Sequence, residues 1–309
     1  MKKIFIELPT WLGDTLMATP AIENLIMHFN DVEITLIGSK VSIEALKKHP
    51  RVAKSYILEK TFINFHKKIK NYGEFDILFS FRTSLRARYL KFFIASEKKY
   101  QFDKKKYKNQ HQVEKYNNFV NDSLNINSAP GKLKLYYQKG GRKNASKLLG
   151  INPGASYGSA KQWYPEEFAK VAIRLSEYYD IVIFGGENEK KISEHIEKTL
   201  INRGVMNYRN LAGKTSIPSL IDEIAKLDLL ITGDSGPMHI SAALQIPTVS
   251  IFGPTNDKET SQWKNEKSLT VKKNLECQPC MKRICPLKHH NCMRLIKSTD
   301  VINGIKEIS

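Results

Sequence analysis

The segment from residue 227 to 255 constrains the fold more than any other stretch of this chain. Its first apolar run, Leu227–Thr232, has the length and composition of a strand that is buried on both faces. A Gly-Asp-Ser-Gly turn follows at 233–236, and Pro237 then suits a helix beginning, because proline has no N–H to leave unsatisfied. A second apolar run, Pro247–Phe252, completes a strand–loop–helix–strand unit. Such units build parallel sheets, so the sequence predicts an α/β protein.

The turn at 233–236 is a candidate anion site. Free backbone N–H groups and the positive end of the helix lie just beyond the first strand, and diphosphates are common occupants of such places. The candidate ligand-binding residues here are Asp234, Ser235, Gly236 and His239. Local chemistry leaves a second interpretation open, in which Asp234 or Ser235 only caps the helix and His239 only packs in the core.

The order of residues in this segment is more specific than the unit alone. Residues 234–255 read D-S-G-P-M-H-x-x-A-A-L-x-x-P-x-x-x-x-F-G-P-T. This pattern resembles the signature of glycosyltransferase family 9, the bacterial lipopolysaccharide heptosyltransferases. The resemblance implies that the loop binds the nucleotide diphosphate of an ADP-heptose donor.

A second motif of the same family lies near the N-terminus, where residues 10–22 read T-W-L-G-D-T-L-M-A-T-P-A-I. The resemblance implies that Asp14 is the catalytic base for an acceptor hydroxyl and that Gly13 contacts the donor. A carboxylate at the end of a strand can take such a proton. From local chemistry alone, Asp14 could equally be a helix N-cap.

A third motif, P-G-A-x-Y-G-x-A-K-x-W, spans residues 153–163 and is similar to the family's donor loop. The resemblance implies that Lys161 is catalytic, neutralising the departing diphosphate, and that Ser156 and Ser159 contact the phosphates. The alternative for Lys161 is an ordinary surface lysine. The resemblance also implies an acidic ribose ligand after the next predicted strand, for which we take Glu187, with Glu189 as a second possibility. The alternative for Glu187 is a solvated acid after a glycine turn.

Four cysteines fall within sixteen residues, at positions 277, 280, 285 and 292. Four thiolates suit tetrahedral zinc, but the spacing is not that of two C-x2-C pairs, and His289 and His290 complicate the choice of ligands. Free thiols that pack a loop are the alternative. The pattern C-x-P-C-x4-C-P-x3-H-x-C resembles the heptosyltransferase II branch of the family and implies no catalytic role.

The formal net charge of +18 is compatible with a nucleic acid, an anionic membrane surface or a phosphorylated substrate as partner. The chain contains no nucleic-acid-binding motif, so we expect no nucleic-acid partner. Arg82 and Arg86 are candidate ligands of an anionic acceptor. The basic stretch 98–116 lacks clear periodicity and is predicted to be a solvated loop or a flap that meets the acceptor or the membrane.

The alternation of predicted strands and helices along the whole chain indicates two doubly wound domains. Together with the resemblance, it implies an α/β fold of GT-B architecture, with two Rossmann-like domains facing a central cleft. We expect an acceptor-binding domain at 1–147 and a donor-binding domain at 148–309. A C-terminal helix at about 298–309 is expected to cross back to the first domain.

The function implied by the resemblance is an inverting, metal-independent transfer of L-glycero-D-manno-heptose from ADP-heptose to the heptosyl-Kdo inner core of lipopolysaccharide or lipooligosaccharide. We expect no cofactor and no metal site. The alternatives are heptosyltransferase I, another family 9 core transferase, and a GT-B-fold sugar-nucleotide epimerase. No apolar run approaches the ~20 residues that span a bilayer. We therefore expect a cytoplasmic enzyme that is peripheral on the cytoplasmic face of the inner membrane.

Overall fold

Two compact α/β units make up the chain, Met1–Tyr137 and Gln138–Ser309. The division falls ten residues before the predicted one. The structure is a computed structural model that describes residues 1–58, 68–69, 71–137 and 146–308. Within this described part, no helix is both long enough and apolar enough to cross a membrane.

The first unit contains a five-stranded parallel sheet in the order β3-β2-β1-β4-β5. Its strands are β1 (Lys2–Glu7), β2 (Val32–Gly38), β3 (Val52–Ile57), β4 (Glu74–Ser80) and β5 (Ala95–Gln101). Its described helices are α1 (Leu12–Met17), α2 (Thr19–Phe29), α3 (Lys40–Leu46), α4 (Leu85–Phe93) and α5 (Gln112–Leu124). This strand order is doubly wound, and it reverses direction between β1 and β4, where ligands of such sheets bind.

The helical segment after β1 is divided into two helices. Ala18 separates α1 from α2, and Pro20 stands in the first turn of α2, where its missing N–H costs no hydrogen bond. Asp14 consequently lies on a separate short helix directly after β1. The chain therefore presents this carboxylate near the point where the strand order reverses.

The prediction of an irregular loop at 98–116 is wrong for both of its ends. Residues up to Gln101 belong to β5, and α5 begins at Gln112 with a capping box on His111. The His111 ring accepts a hydrogen bond from Val113 N, and Glu114 accepts one from His111 N. Among the described strands β5 is last in the sheet order, and its side chains are exposed or half-buried, which is why the strand can be polar.

The second unit contains a six-stranded parallel sheet in the order β11-β10-β9-β6-β7-β8. Its strands are β6 (Lys147–Asn152), β7 (Tyr179–Ile183), β8 (Tyr208–Asn210), β9 (Leu229–Gly233), β10 (Thr248–Ile251) and β11 (Ser268–Val271). Its described helices are α6 (Pro165–Leu175), α7 (Lys190–Asn202), α8 (Ile217–Ile224), α9 (Gly236–Leu244), α10 (Asp257–Thr260), α11 (Asn291–Arg294) and α12 (Ser298–Ile308). This is the strand order of dinucleotide-binding folds, with its reversal between β6 and β9.

The C-terminal helix α12 packs within the second unit, against β10, β11 and α6. Gly304 allows a close approach, because a Cβ there would lie 2.5 Å from Leu269 Cδ2. Val301 and Ile305 join the core cluster around Trp163. This helix therefore contributes to the core of the second unit, and its expected return to the first domain stays a prediction.

Candidate active site

Two loops meet at the strand reversal of the second unit. One follows β6 and carries the predicted donor loop, and the other follows β9 and carries the 233–236 turn. Asn152, the last residue of β6, joins them: its side-chain amide donates to Thr232 Oγ1 and to Ser235 Oγ, each at 3.1 Å. Both loops are therefore fixed at the carboxyl edge of the sheet, where parallel α/β proteins bind nucleotides.

Lys161 is held against Asp234. The ammonium lies 2.5 Å from Asp234 Oδ2, and Thr255 Oγ1 donates to the same oxygen at 2.7 Å. Both side chains of the ion pair are largely buried, with exposed fractions of 12% and 6%. The ammonium also lies 4.7 Å from the centre of the Tyr157 ring. Lys161 is thus not an ordinary surface lysine, and Thr255 is a polar contact of this site that the sequence interpretation left out.

The helix-capping interpretation of Asp234 and Ser235 does not describe the structure. Ser235 occupies the N-cap position of α9, but no side-chain hydrogen bond caps the helix. Its hydroxyl instead donates to Gly233 O at 3.2 Å, while Asp234 binds Lys161. Pro237 has no N–H, and Met238 N donates to Ser235 O at 3.2 Å, so the Gly236 N–H at the beginning of α9 has no side-chain cap and can receive an anion. His239 lies buried on the same helix.

The Cys-rich segment, residues 277–292, supports the donor loop. Arg283 O accepts from Ala160 N at 3.0 Å, and Met281 O accepts from the Tyr157 hydroxyl at 2.8 Å. The His290 ring lies 2.9 Å from Ala160 O and 3.2 Å from the Tyr164 hydroxyl. This segment therefore positions the loop that ends at Lys161. Ser156 and Ser159, the other predicted phosphate contacts, are exposed on that loop.

The four cysteines are free thiols that line one small cavity together with His289 and His290. Burial, and then the neighbouring cysteines, raise the pKa of the Cys292 thiol to about 11. Among the described residues, no group of three or more His, Cys, Asp or Glu side chains is arranged to hold a metal ion.

The two glutamates considered for the ribose differ sharply in the structure. Glu187 is 72% exposed and pairs with Lys190. Glu189 is buried, and its Oε2 accepts a hydrogen bond from Gly186 N at 2.7 Å. Its side chain also lies against Gly154, where a Cβ would be 2.6 Å from Glu189 Cγ. Glu189 therefore lies beside the donor loop, whereas Glu187 points to solvent.

In the first unit, Asp14 and Gly13 lie in the first turn of α1. The N-cap position belongs to Trp11, so Asp14 does not cap this helix. Burial, and then the charge of Asp14, raise the pKa of Tyr116 well above its ordinary value. The Asp14 charge therefore acts on the Tyr116 hydroxyl, and Asp14 itself follows β1, at the carboxyl edge of the first sheet.

The two predicted acceptor arginines converge on a buried acid that sequence reasoning missed. Glu7 ends β1 opposite Ser80 of β4, is fully buried, and accepts a hydrogen bond from Ser80 Oγ at 2.5 Å. Arg82 Nη1 lies 3.5 Å from Glu7 Oε1. Burial raises the pKa of Glu7, and Ser80, Arg82 and Arg86 oppose that rise. The pattern I-F-I-E-L, with a charge inside an apolar strand, was the available signal.

The whole chain has counterparts among known proteins. The sequence model of glycosyltransferase family 9 (heptosyltransferase) matches residues 63–291. Lipooligosaccharide heptosyltransferase 2 of Campylobacter jejuni serotype O:2 is 42% identical over an alignment that covers 99% of this chain and 98% of that protein. The chain belongs to glycosyltransferase family 9. It is therefore an enzyme, a family 9 glycosyltransferase.

Solved structures agree with this family 9 membership at the level of the fold. The ADP-heptose lipopolysaccharide heptosyltransferase II of Escherichia coli superposes with a TM-score of 0.81 at 21% identity, covering 99% of this chain and 98% of that one. A family 9 glycosyltransferase of Veillonella parvula gives 0.82 at 21% identity, covering 99% and 97%. The predicted GT-B class of α/β fold is confirmed. The match to the family model begins at residue 63 and so does not include Asp14. The full-length relatives align with nearly the whole chain.

Proposed function

We propose that this enzyme transfers a heptose from ADP-heptose to the inner core of lipopolysaccharide or lipooligosaccharide, as a heptosyltransferase 2. The observation that carries the proposal is the whole-chain similarity to lipooligosaccharide heptosyltransferase 2. The paired loops at the strand reversal of the second unit support it, since they combine a buried lysine with an uncapped helix beginning.

The donor-binding part of the proposal concerns the second unit. The diphosphate of ADP-heptose binds at the beginning of α9, near Ser235 and Gly236. There it replaces Asp234 as the ion-pair partner of the Lys161 ammonium. As the bond between the sugar and the phosphate breaks, negative charge grows on the departing ADP, and Lys161 with the helix end stabilises it. These fixed positive groups can supply the charge that a metal would supply, so the proposed transfer needs no metal. Glu189 is preferred over Glu187 as the ribose ligand because it is buried beside the donor loop.

The acceptor-binding part concerns the first unit. Asp14 accepts the proton of the acceptor hydroxyl while that oxygen bonds to the anomeric carbon and ADP departs with its electron pair, which inverts the anomeric configuration. Arg82 and Arg86 bind anionic groups of the acceptor. Because the acceptor is a lipid, we also propose that the enzyme is cytoplasmic and acts in peripheral contact with the anionic inner membrane.

The experiment that tests this function offers purified enzyme ADP-heptose with a panel of truncated core acceptors and identifies products by mass spectrometry. We expect one heptose to be added to the acceptor that already carries a first heptose, and no isomerised sugar nucleotide when the acceptor is omitted. Transfer only to the acceptor that lacks heptose would indicate heptosyltransferase I instead. Isomerisation without acceptor would indicate an epimerase.

A further inference from the structure

Helix α4 of the first unit exposes several large apolar side chains. Leu85 and Phe92 are 79% and 76% exposed, and Phe93 is 40% exposed, whereas Ala87 and Leu90 are fully buried. With 3.6 residues per turn, the large exposed side chains fall on one side of the helix and the buried ones on the opposite side. A surface helix ordinarily exposes its polar side. Exposed side chains of this kind do not stabilise the folded unit, so we looked for a binding role for them.

The exposed Leu85, Phe92 and Phe93 and the half-buried Tyr89 lie on one side of the helix, which we name the α4 apolar face. The rings of Phe92 and Phe93 lie 5.0 Å apart at their centres, and those of Tyr89 and Phe93 lie 4.4 Å apart. Contiguous exposed apolar surface of this kind marks a docking site for a protein, a membrane or a ligand more often than isolated exposed residues do.

Positive charge surrounds the α4 apolar face. Residues 82–102 contain six arginines and lysines and one acidic residue, Glu97. Two of the six, Arg82 and Arg86, act on the buried Glu7 and do not count toward the rim. Arg88 is exposed on the same helix, and Lys98 is exposed on the adjacent strand β5. The Lys99 ammonium donates to Phe92 O at 3.2 Å, which fixes a cation at the end of the helix. The face therefore combines exposed aromatic rings with a cationic rim.

We propose that the α4 apolar face docks on an anionic lipid bilayer, with Leu85 and Phe92 in the headgroup region and the basic rim on the lipid phosphates. An anionic bilayer matches both features of this face. Aromatic side chains prefer the bilayer interface, and anionic headgroups attract lysine and arginine. A second copy of the chain would instead bring two cationic rims together. The inference rests on the proposed function because a lipid acceptor must be met at a membrane.

The test is sedimentation of the full-length protein with sucrose-loaded vesicles of phosphatidylethanolamine and phosphatidylglycerol. The Phe92→Gln and Leu85→Gln/Phe92→Gln variants should bind these vesicles about tenfold more weakly than the parent protein. Binding of the parent should fall steeply with added salt and on vesicles without phosphatidylglycerol. The matched control is Met206→Gln, which removes an apolar side chain that is 78% exposed in the second unit; it should bind as the parent does.

The proposal is overturned if the α4 variants bind vesicles as the parent does, or if Met206→Gln loses as much affinity as Phe92→Gln. It is also overturned if the parent is a dimer by light scattering and Phe92→Gln is a monomer with unchanged vesicle binding, since the face would then pair two copies. Circular dichroism and thermal midpoints confirm that the variants are folded.

A second arm separates this proposal from the proposed function. Transfer to a soluble, deacylated core acceptor should be unchanged in Phe92→Gln, while transfer to the intact lipid acceptor in anionic vesicles should fall about tenfold. If the parent transfers to neither acceptor, the proposed function fails, and vesicle binding still decides the role of the face. Equal loss on both acceptors would contradict docking as the role of Phe92.

Discussion

At the scale of single residues, the ion pair of Lys161 and Asp234 couples the two donor loops. The ammonium and carboxylate are 2.5 Å apart and mostly buried, so each would be costly to leave without the other. An incoming diphosphate offers Lys161 a second anion, while Thr255 continues to satisfy Asp234. The lysine can therefore turn toward a ligand without leaving a bare buried carboxylate.

Lys161→Ala tests this role. Because the substitution removes the cation that faces the leaving group in the proposed function, we expect ADP to bind about tenfold more weakly and turnover to fall on the order of 100-fold. Calorimetry measures the first effect and initial rates measure the second. Lys161→Arg, which keeps the charge, is the control and should retain most of the ADP affinity. Unchanged affinity in Lys161→Ala would exclude a contact between Lys161 and the nucleotide.

Asp14→Ala should leave ADP affinity nearly unchanged and lower turnover by roughly 100-fold or more, the usual effect of losing a general base. The residue belongs to the first unit, whereas the proposed donor loops belong to the second. Steady-state rates at saturating ADP-heptose, with calorimetry for ADP, make the measurement. Full turnover in the variant would show that another group takes the proton.

Glu7→Gln should weaken acceptor binding and change the pH dependence of stability. Without the carboxylate, Arg82 loses its buried partner, and we expect the acceptor KM to rise about tenfold with a smaller change in kcat. Burial raises the folded-state pKa of Glu7 above the ordinary 4.5. The Glu7 proton therefore stabilises the folded state at pH values below the ordinary pKa of a glutamate. This contribution to stability is lost as the pH rises through the folded-state pKa of Glu7.

Glutamine has no proton to lose, so Glu7→Gln should gain stability relative to the parent as pH rises from 5 to 8. Thermal midpoints across this range measure the difference. Glu74→Gln, an exposed acid on β4, is the control and should show neither effect. A constant difference between Glu7→Gln and the parent at all pH values would contradict the raised pKa.

At the scale of elements, the Cys-rich segment acts as a brace for the donor loop. His290 contacts Ala160 O and Tyr164, one on each side of Lys161 in the sequence. We expect His290→Ala to raise the donor KM several-fold with little change in kcat, because the loop loses its support but keeps Lys161. The control is His289→Ala. The His289 ring accepts a hydrogen bond from the nearby Asn291 N and makes no hydrogen bond to the donor loop in the described part of the chain. Equal effects of the two variants would argue against a brace.

The strands and helices were largely predictable from the sequence, whereas the side-chain contacts between distant segments were not. Buried central strands such as β9 and β10 appear in the sequence as apolar runs, and the helix after β9 begins one residue before the proline that marks it. Edge strand β5 was missed because its exposed side removes the apolar pattern. The pairing of Lys161 with Asp234 joins residues that are 73 positions apart, which only the sheet topology brings together.

At the scale of the whole molecule, the proposal divides the work between two units that each have their own sheet and core. Saturating ADP should therefore protect backbone amides from hydrogen exchange in the second unit, around residues 152–161 and 233–239, because binding stabilises the state that binds. Exchange followed by mass spectrometry makes the measurement, with Lys161→Ala as the control that loses protection. Protection centred on the first unit would reverse the assignment of donor and acceptor.

Gly158 has a consequence for how this enzyme can vary among its relatives. Its backbone has a φ of +155°, and any side chain there would collide with the carbonyl of Arg283. The loop before Lys161 and the Cys-rich segment thus interlock at the level of the main chain, where no side-chain substitution can adjust the fit. A chimera that takes one of these segments from a distant relative should therefore misfold locally unless the other segment is exchanged with it.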